Sequence, residues 1–233
     1  MLGILQARMS STRLPGKVMR PLLGEPMIAR QIERLRRSER LTELVLATST
    51  RADDDVLADW CSVAEVECYR GDLDDVLSRF LGVLGAKGWP EQFVRLTADC
   101  PLADPELIDR VIAEHLASGA DYTSMHEGRT FPKGLDVEPC RTSALREIDA
   151  LATGEDREHV TRYLYTHPER FTVHLVKRDP PLRYRWTVDT PEDFAFVEGV
   201  YADLYPANPA FTSDDILAWQ ARHPDRVLVN IEV

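Results

Sequence analysis

The chain has 233 residues, of which 44% are hydrophobic and 29% charged, and its formal net charge is -11. This suits an ordinary globular protein of one domain, or one domain with a small appendage. The acidic balance argues against a broad nucleic-acid or anionic-membrane surface, and no apolar run approaches the roughly 20 residues that cross a bilayer.

The chain opens on Leu2 to Gln6, a short apolar run that predicts a buried strand. The N-terminal apolar stretch is too short for a signal peptide and lacks a basic flank, so a cytoplasmic address is expected. Residues 7 to 17, Ala-Arg-Met-Ser-Ser-Thr-Arg-Leu-Pro-Gly-Lys, are rich in turn formers and predict an exposed loop. From Pro26 the pattern turns helical, with Met27, Ile28, Ile32 and Leu35 on one face. Leu44 to Ala47 predicts a second strand. Asp53 to Trp60 predicts a helix with three aspartates in its first turn, where the helix dipole favours anions. Val63 to Cys68 predicts a strand, Asp72 to Leu84 a helix, Phe93 to Thr97 a strand and Pro105 to Leu116 a helix.

The second half is less regular. Tyr122 to Ser124 and Leu135 to Glu138 predict short strands, followed by helices around Ser143 to Leu151 and Arg157 to Tyr165. Phe171 to Val176 and Arg183 to Val188 predict two more strands. Thr190, Pro191 and Asp193 together suit the start of a capped helix. Asp214 to Arg222 predicts the last helix. Alternating strands and helices imply an α/β fold with a mainly parallel sheet and helices on both faces. Ligands in such folds bind beyond the carboxyl ends of the strands. The loops after Gln6 and Thr97 are therefore the first places to look for chemistry.

Arg8, Arg13, Lys17 and Arg20 form an acid-free basic cluster in an acidic chain. A nucleoside triphosphate needs such forked guanidinium and mobile ammonium donors. Gly16 lets the backbone come close. The loop is not a Walker motif, since Val18 stands where a hydroxyl residue belongs. A solvated basic loop is the competing reading. Asp99, in Leu-Thr-Ala-Asp-Cys-Pro, sits just past a strand, where it either caps a turn or holds a hard cation. Asp189, in Trp-Thr-Val-Asp-Thr-Pro-Glu-Asp, either caps the next helix or shares that cation. Trp186 reads as packing, with sugar stacking the rarer alternative. Cys61, Cys68, Cys100 and Cys140 have no metal-site spacing and read as reduced thiols.

Ala7, Arg8, Ser11, Arg13, Leu14, Pro15, Gly16 and Lys17 resemble the signature loop of the CMP-sugar synthetases, the cytidylyltransferases that activate sialic acids and 3-deoxy-manno-octulosonate (Kdo). Val188 to Asp193 also resembles the Kdo enzymes. Arg70 to Phe80, Phe131 to Asp136 and Arg157 to Thr161 resemble the subgroup associated with spore-coat polysaccharide.

The resemblance implies a Rossmann-like nucleotide-diphospho-sugar transferase fold over a single domain, 1–233, with an acceptor and dimerisation subregion around 120–182. It implies Mg2+-dependent transfer of CMP from CTP to a sugar or sugar-acid acceptor, with pyrophosphate released, by a homodimer. Arg8, Arg13 and Lys17 would bind the triphosphate, and Asp99 and Asp189 would hold Mg2+. Gln6, Ala7, Gly16, Arg70 and Asp75 would surround the nucleotide. Lys133, Asp136, Glu138, Glu158 and His159 would form the acceptor pocket. His159 equally suits a helix residue bonded to a backbone carbonyl. Where the Kdo enzymes carry Gly-Asp-Glu-Pro, this chain has Ala98-Asp99-Cys100-Pro101, so the acidic neighbour of the metal aspartate is Cys100, read as a buried spacer. The alternatives are another nucleotide or a non-sugar acceptor, or a non-catalytic nucleotide-binding subunit. The retained charges at Lys17, Asp99 and Asp189 argue against the last.

Overall fold

A computed structural model describes residues 1–227 of the chain. Its centre is a seven-stranded sheet in the order β5-β4-β1-β6-β8-β7-β9. The strands are β1 (Leu2–Gln6), β4 (Glu43–Ser49), β5 (Glu67–Gly71), β6 (Gln92–Thr97), β7 (Tyr122–Ser124), β8 (Glu138–Arg141) and β9 (Val173–Leu175). β1 runs parallel to β4 and β6, and β4 parallel to β5. β8 is antiparallel to both β6 and β7, so the sheet is mixed but mostly parallel. A separate hairpin joins β2 (Pro21–Leu22) to β3 (Glu25–Pro26). Leu23 and Gly24 both take positive φ at its turn, as a two-residue hairpin demands.

Alternation along β1 sets the two faces. Leu5 packs into a core with α1 (Met27–Leu35), α4 (Pro105–Ser118), α8 (Pro191–Leu204) and α9 (Ser213–Arg222). Leu2 and Ile4 point the other way, onto α3 (Val76–Ala86) and α5 (Thr142–Asp149). The expected helix–sheet–helix sandwich follows from this period of two. Among the described residues no helix is long and apolar enough to cross a membrane.

Several boundaries differ from the sequence expectation, each for a local reason. The strand expected at Val63 to Cys68 begins at Glu67, because Val63 closes α2 (Asp55–Val63) and Glu65 turns the chain at positive φ. The helix expected from Asp72 begins at Val76. The Asp72 carboxylate accepts the Asp74 and Asp75 amides, and Asp75 caps Ser78. Such local bonds by aspartate compete with helix. The helix expected over Arg157 to Tyr165 is two short pieces, α6 (Glu155–Glu158) and α7 (Arg162–Thr166), broken where Val160 takes positive φ. The strand expected at Leu135 to Glu138 lies later, at Glu138–Arg141.

Arg183 to Val188 is not a strand of the sheet and makes one isolated bridge, between Lys133 and Arg185. There the chain passes so close to Gly134 that a β-carbon would overlap the Trp186 and Thr187 backbone. Trp186 is fully buried and donates to Gln220, so it packs the core. α8 has the expected capping box between Thr190 and Asp193.

Candidate active site

β1 and β6 end side by side, tied by the Ala98 amide donating to the Gln6 carbonyl at 3.0 Å. Beyond them opens a cleft of about 370 Å³. Its lining draws on the β1 loop, the β6 end, α3, α6 and the segment before α8.

The β1 loop is built from inside outward. Leu14 and Val18 are buried anchors. Gly16 takes φ +69 and donates to the Met9 carbonyl at 2.9 Å, closing the loop on itself. The buried Asp54 accepts from the Met9 amide at 2.7 Å and also from the Ser49 amide. The aspartates after β4 were expected to serve their own helix dipole, but Asp54 fastens this loop to the sheet. Ser10, Thr12 and Arg13 are left exposed.

Lys17 was expected on an exposed loop, yet it is 8% exposed. It sits in a short 3-10 turn (Lys17–Met19), and its stem runs inward. Its ammonium donates to the Val188 carbonyl at 2.6 Å, to Asp189 at 3.0 Å and to Asp99 at 3.4 Å. Arg13 and Arg185 each reach Asp189 at 3.0 Å. Burial opposes ionisation of Asp189, but Lys17, Arg13 and Arg185 outweigh it and hold its pKa below the ordinary carboxylate value. The Val188 amide donates to the Asp99 carbonyl at 2.8 Å, which brings the two aspartates to one edge of the sheet. Cys100 is buried, and burial pushes its thiol pKa up, with Asp99 adding to the rise, so it is held as a neutral thiol.

Gln6, Ala7, Arg8, Arg13, Lys17, Asp99, Glu158, His159 and Asp189 all line this cleft. Arg8 and Glu158 face each other across it at 3.7 Å. The remaining residues expected at the site are not part of the lining. Gly16 shapes the loop from behind. Arg70 donates to the Ser49 carbonyl at 2.9 Å and pairs with Asp55 at 2.6 Å, bracing α2 against the sheet. Asp75 caps α3 and pairs with Arg157 at 2.8 Å. Asp136 pairs with Arg129 at 2.7 Å. Lys133 forms the bridge to Arg185 noted above. Glu138 lies behind the wall, where its carboxylate accepts from Arg95 at 2.6 Å and Tyr122 at 3.1 Å, and also from Thr161.

The structure adds residues that the sequence reading passed over. Arg95, on β6, lines the cleft and donates to the Gln6 side chain at 3.0 Å. Arg79, on α3, lines it too, with Ser11, Thr12 and Thr97. A signal for both was present. Arg95 interrupts an apolar strand, and Arg79 lies one helical turn from Val76 on the helix's apolar side.

A loop with three cations, an aspartate just past β6, a second just before α8 and a cleft at the carboxyl edge define a nucleotidyltransferase-type site on a Rossmann-like sheet. The chain belongs to the cytidylyltransferase family, which it matches over residues 2–202. It is similar to SpsF, the spore coat polysaccharide biosynthesis protein of Bacillus subtilis, at 35% identity over 233 residues covering 96% of this chain and 95% of that one. A cytidylyltransferase from Leptospira borgpetersenii has the same fold with a TM-score of 0.90 at 28% identity, covering 100% of this chain and 98% of that one. A CMP:2-keto-3-deoxy-manno-octonic acid synthetase complexed with CTP shares the fold at a TM-score of 0.62 and 15% identity, covering 86% and 98%.

Proposed function

We propose that this cleft transfers CMP from CTP to a sugar or sugar-acid acceptor and releases pyrophosphate. The observation that carries the reading is the meeting of Lys17, Asp99 and Asp189 at one point beside Arg8 and Arg13. An acceptor hydroxyl attacks the α-phosphorus in line and gives up its proton to water or to the acceptor's own carboxylate, and the α–β bridging oxygen leaves with pyrophosphate. The protein's work is to align these groups and balance the charge. Arg8 and Arg13 receive phosphate oxygens. Lys17 follows the charge that gathers on pyrophosphate.

Among the described residues no cluster of three or more His, Cys, Asp or Glu is arranged for a metal. Two carboxylates nevertheless suit Mg2+, which keeps waters and takes its other oxygens from phosphate. The residues fit, because the point where Asp99 and Asp189 converge already holds a cation, the Lys17 ammonium. Bound there, Mg2+ would polarise the α-phosphate and steady the departing oxygens. Asp99 and Asp189 would hold it, and Lys17 would move onto the phosphates.

Glu158 and His159 face the acceptor side of this reading, and Glu138 supports it through Arg95. The segment around 120–182 would supply the rest of that side and the contact of a homodimer, which light scattering of the purified protein tests. The transfer itself is tested by a pyrophosphate-release screen of sugar acids with CTP and Mg2+. A thermal-shift panel of the four ribonucleoside triphosphates tests the nucleotide. CTP should give the largest rise, and equal rises for all four would remove the cytosine preference.

A further inference from the structure

Three cations surround the Asp189 carboxylate, and they are not equivalent. Lys17 meets Oδ1 at 3.0 Å, while Arg13 and Arg185 each meet Oδ2 at 3.0 Å. Lys17 and Arg13 line the cleft, where phosphates would draw them away from Asp189. Arg185 is absent from that lining.

Arg185 is also held too firmly to follow them. Its Nε donates to Asp193 Oδ1 at 2.8 Å and its Nη2 to Asp193 Oδ2 at 2.9 Å, so both oxygens of a buried carboxylate grip the guanidinium fork. Asp193 is itself fixed at the start of α8, where its Oδ2 accepts the Asp189 amide at 2.8 Å and the Thr190 amide at 2.9 Å. The backbone beside Arg185 is pinned as well. The Lys133 amide donates to the Tyr184 carbonyl at 3.0 Å and the Trp186 amide to the Lys133 carbonyl at 2.7 Å, which makes the isolated bridge between Lys133 and Arg185. The same Nη2 that bonds Asp193 also bonds Asp189, so one nitrogen ties the cleft aspartate to this frame.

We infer, on the transfer reading given above, that Arg185 clamped by Asp193 is a positioning residue for Asp189. It holds Oδ2, so Oδ1 stays aimed at the point it shares with Asp99 after Lys17 and Arg13 have moved onto the phosphates. A carboxylate that loses two of its three partners is otherwise free to turn about its side-chain bonds. Fixing one oxygen removes that freedom, and partners of this kind set the metal affinity of the carboxylates they orient. A lysine cannot take the place of Arg185, because a point ammonium lacks the planar fork that grips Asp193 and reaches Asp189 at once.

The test uses two full-length variants. Arg185→Lys keeps the charge and loses the fork, and Asp193→Asn keeps an acceptor for the Thr190 amide and loses the clamp. Each is titrated with Mg2+ in the CTP-dependent pyrophosphate-release assay. The Mg2+ concentration that gives half the maximal rate should rise by about 10- to 100-fold. KM for CTP at saturating Mg2+ should change little, and excess Mg2+ should restore kcat. A merely structural defect is not repaired by the cation, so a loss of rate that excess Mg2+ leaves in place contradicts the inference. The second readout is Mn2+ binding without nucleotide, followed by electron paramagnetic resonance, to Lys17→Met with and without Arg185→Lys. The added substitution should weaken Mn2+ binding by a similar factor. If the folded variants keep the wild-type Mg2+ dependence and Mn2+ binding, Arg185 does not position Asp189, although the transfer reading stands. If neither variant folds, the pair is a stability element and the inference is wrong. A wild type that needs no divalent cation, together with no Mn2+ binding by Lys17→Met, would overturn the metal reading and this role with it.

Discussion

The Lys17 ammonium lies 3.0 Å from an oxygen of Asp189, and both side chains are almost closed to solvent. Asp99 completes the arrangement at 3.4 Å. A lysine held this way is a structural counter-ion, and in the proposed transfer it would also have to move onto the phosphates.

Replacing Lys17 with methionine should therefore cost stability as well as function. It leaves Asp189 with Arg13 and Arg185 but strips Asp99 of its partner. Breaking a buried pair costs about 3 kcal/mol or more, so the melting temperature should fall by roughly 6–12 °C. The same variant frees the cation position. Mn2+ titrated by electron paramagnetic resonance should bind Lys17→Met without nucleotide. It should bind the wild type only when CTP is added. Tight Mn2+ binding to the nucleotide-free wild type would show that Lys17 does not compete for the site.

Asp99→Asn and Asp189→Asn should each reduce turnover by more than about 100-fold, and the double variant should be little worse than either, as for groups that act as a unit. Asp189→Asn should also lose stability, because Lys17, Arg13 and Arg185 are left facing a neutral amide. Asp99→Asn, on the more exposed partner, should lose less. Additive effects on kcat would separate the two roles.

Asp54→Ala should loosen the signature loop from a distance. The Met9 and Ser49 amides lose their acceptor, which costs about 1–3 kcal/mol for each group left unsatisfied. CTP affinity should fall even though Asp54 is absent from the cleft lining. Hydrogen exchange at Met9 measures the loosening directly, and unchanged protection there would detach Asp54 from the loop.

The Arg95–Glu138 pair predicts a pH dependence. Burial pushes the Glu138 pKa up, but Arg95, Thr161 and Tyr122 pull it further down, so the folded value lies below the ordinary one. A depressed carboxylate contributes stability above its unfolded pKa, near 4.3, and that stability is lost as pH falls through the folded value. Glu138→Gln should thus be strongly destabilised at neutral pH, by about 3 kcal/mol or more. Its deficit should shrink in acid, below about pH 4. A deficit that stays constant with pH would mean that the ion pair is not the source.

Much of this site was legible in the sequence because its chemistry is local. The basic run at residues 8 to 17 stands out against an acidic chain. Asp99 and Asp189 sit beside turn residues that mark the ends of elements. What the sequence did not show is non-local. Arg70 and Asp75 carry charge in the right motif, and their partners Asp55 and Arg157 lie in other elements. Arg79 and Arg95 occupy apolar stretches, where periodicity marks them as exceptions but cannot say what they face. Lys17 was expected in solvent because a Pro-Gly turn precedes it. The inward course of its stem depends on Val188 and Asp189, far along the chain.

The central claim is cytidylyl transfer at the Asp99–Asp189 edge of the sheet. Its most direct test is pyrophosphate release by the wild type and Asp99→Asn, with each triphosphate in turn, Mg2+ and a panel of sugar acids that includes Kdo and N-acetylneuraminic acid. The account predicts release by the wild type with CTP and at least one acceptor, far slower release with ATP, GTP or UTP, and almost none from Asp99→Asn. Equal release from all four triphosphates, or wild-type rates from Asp99→Asn, would contradict it.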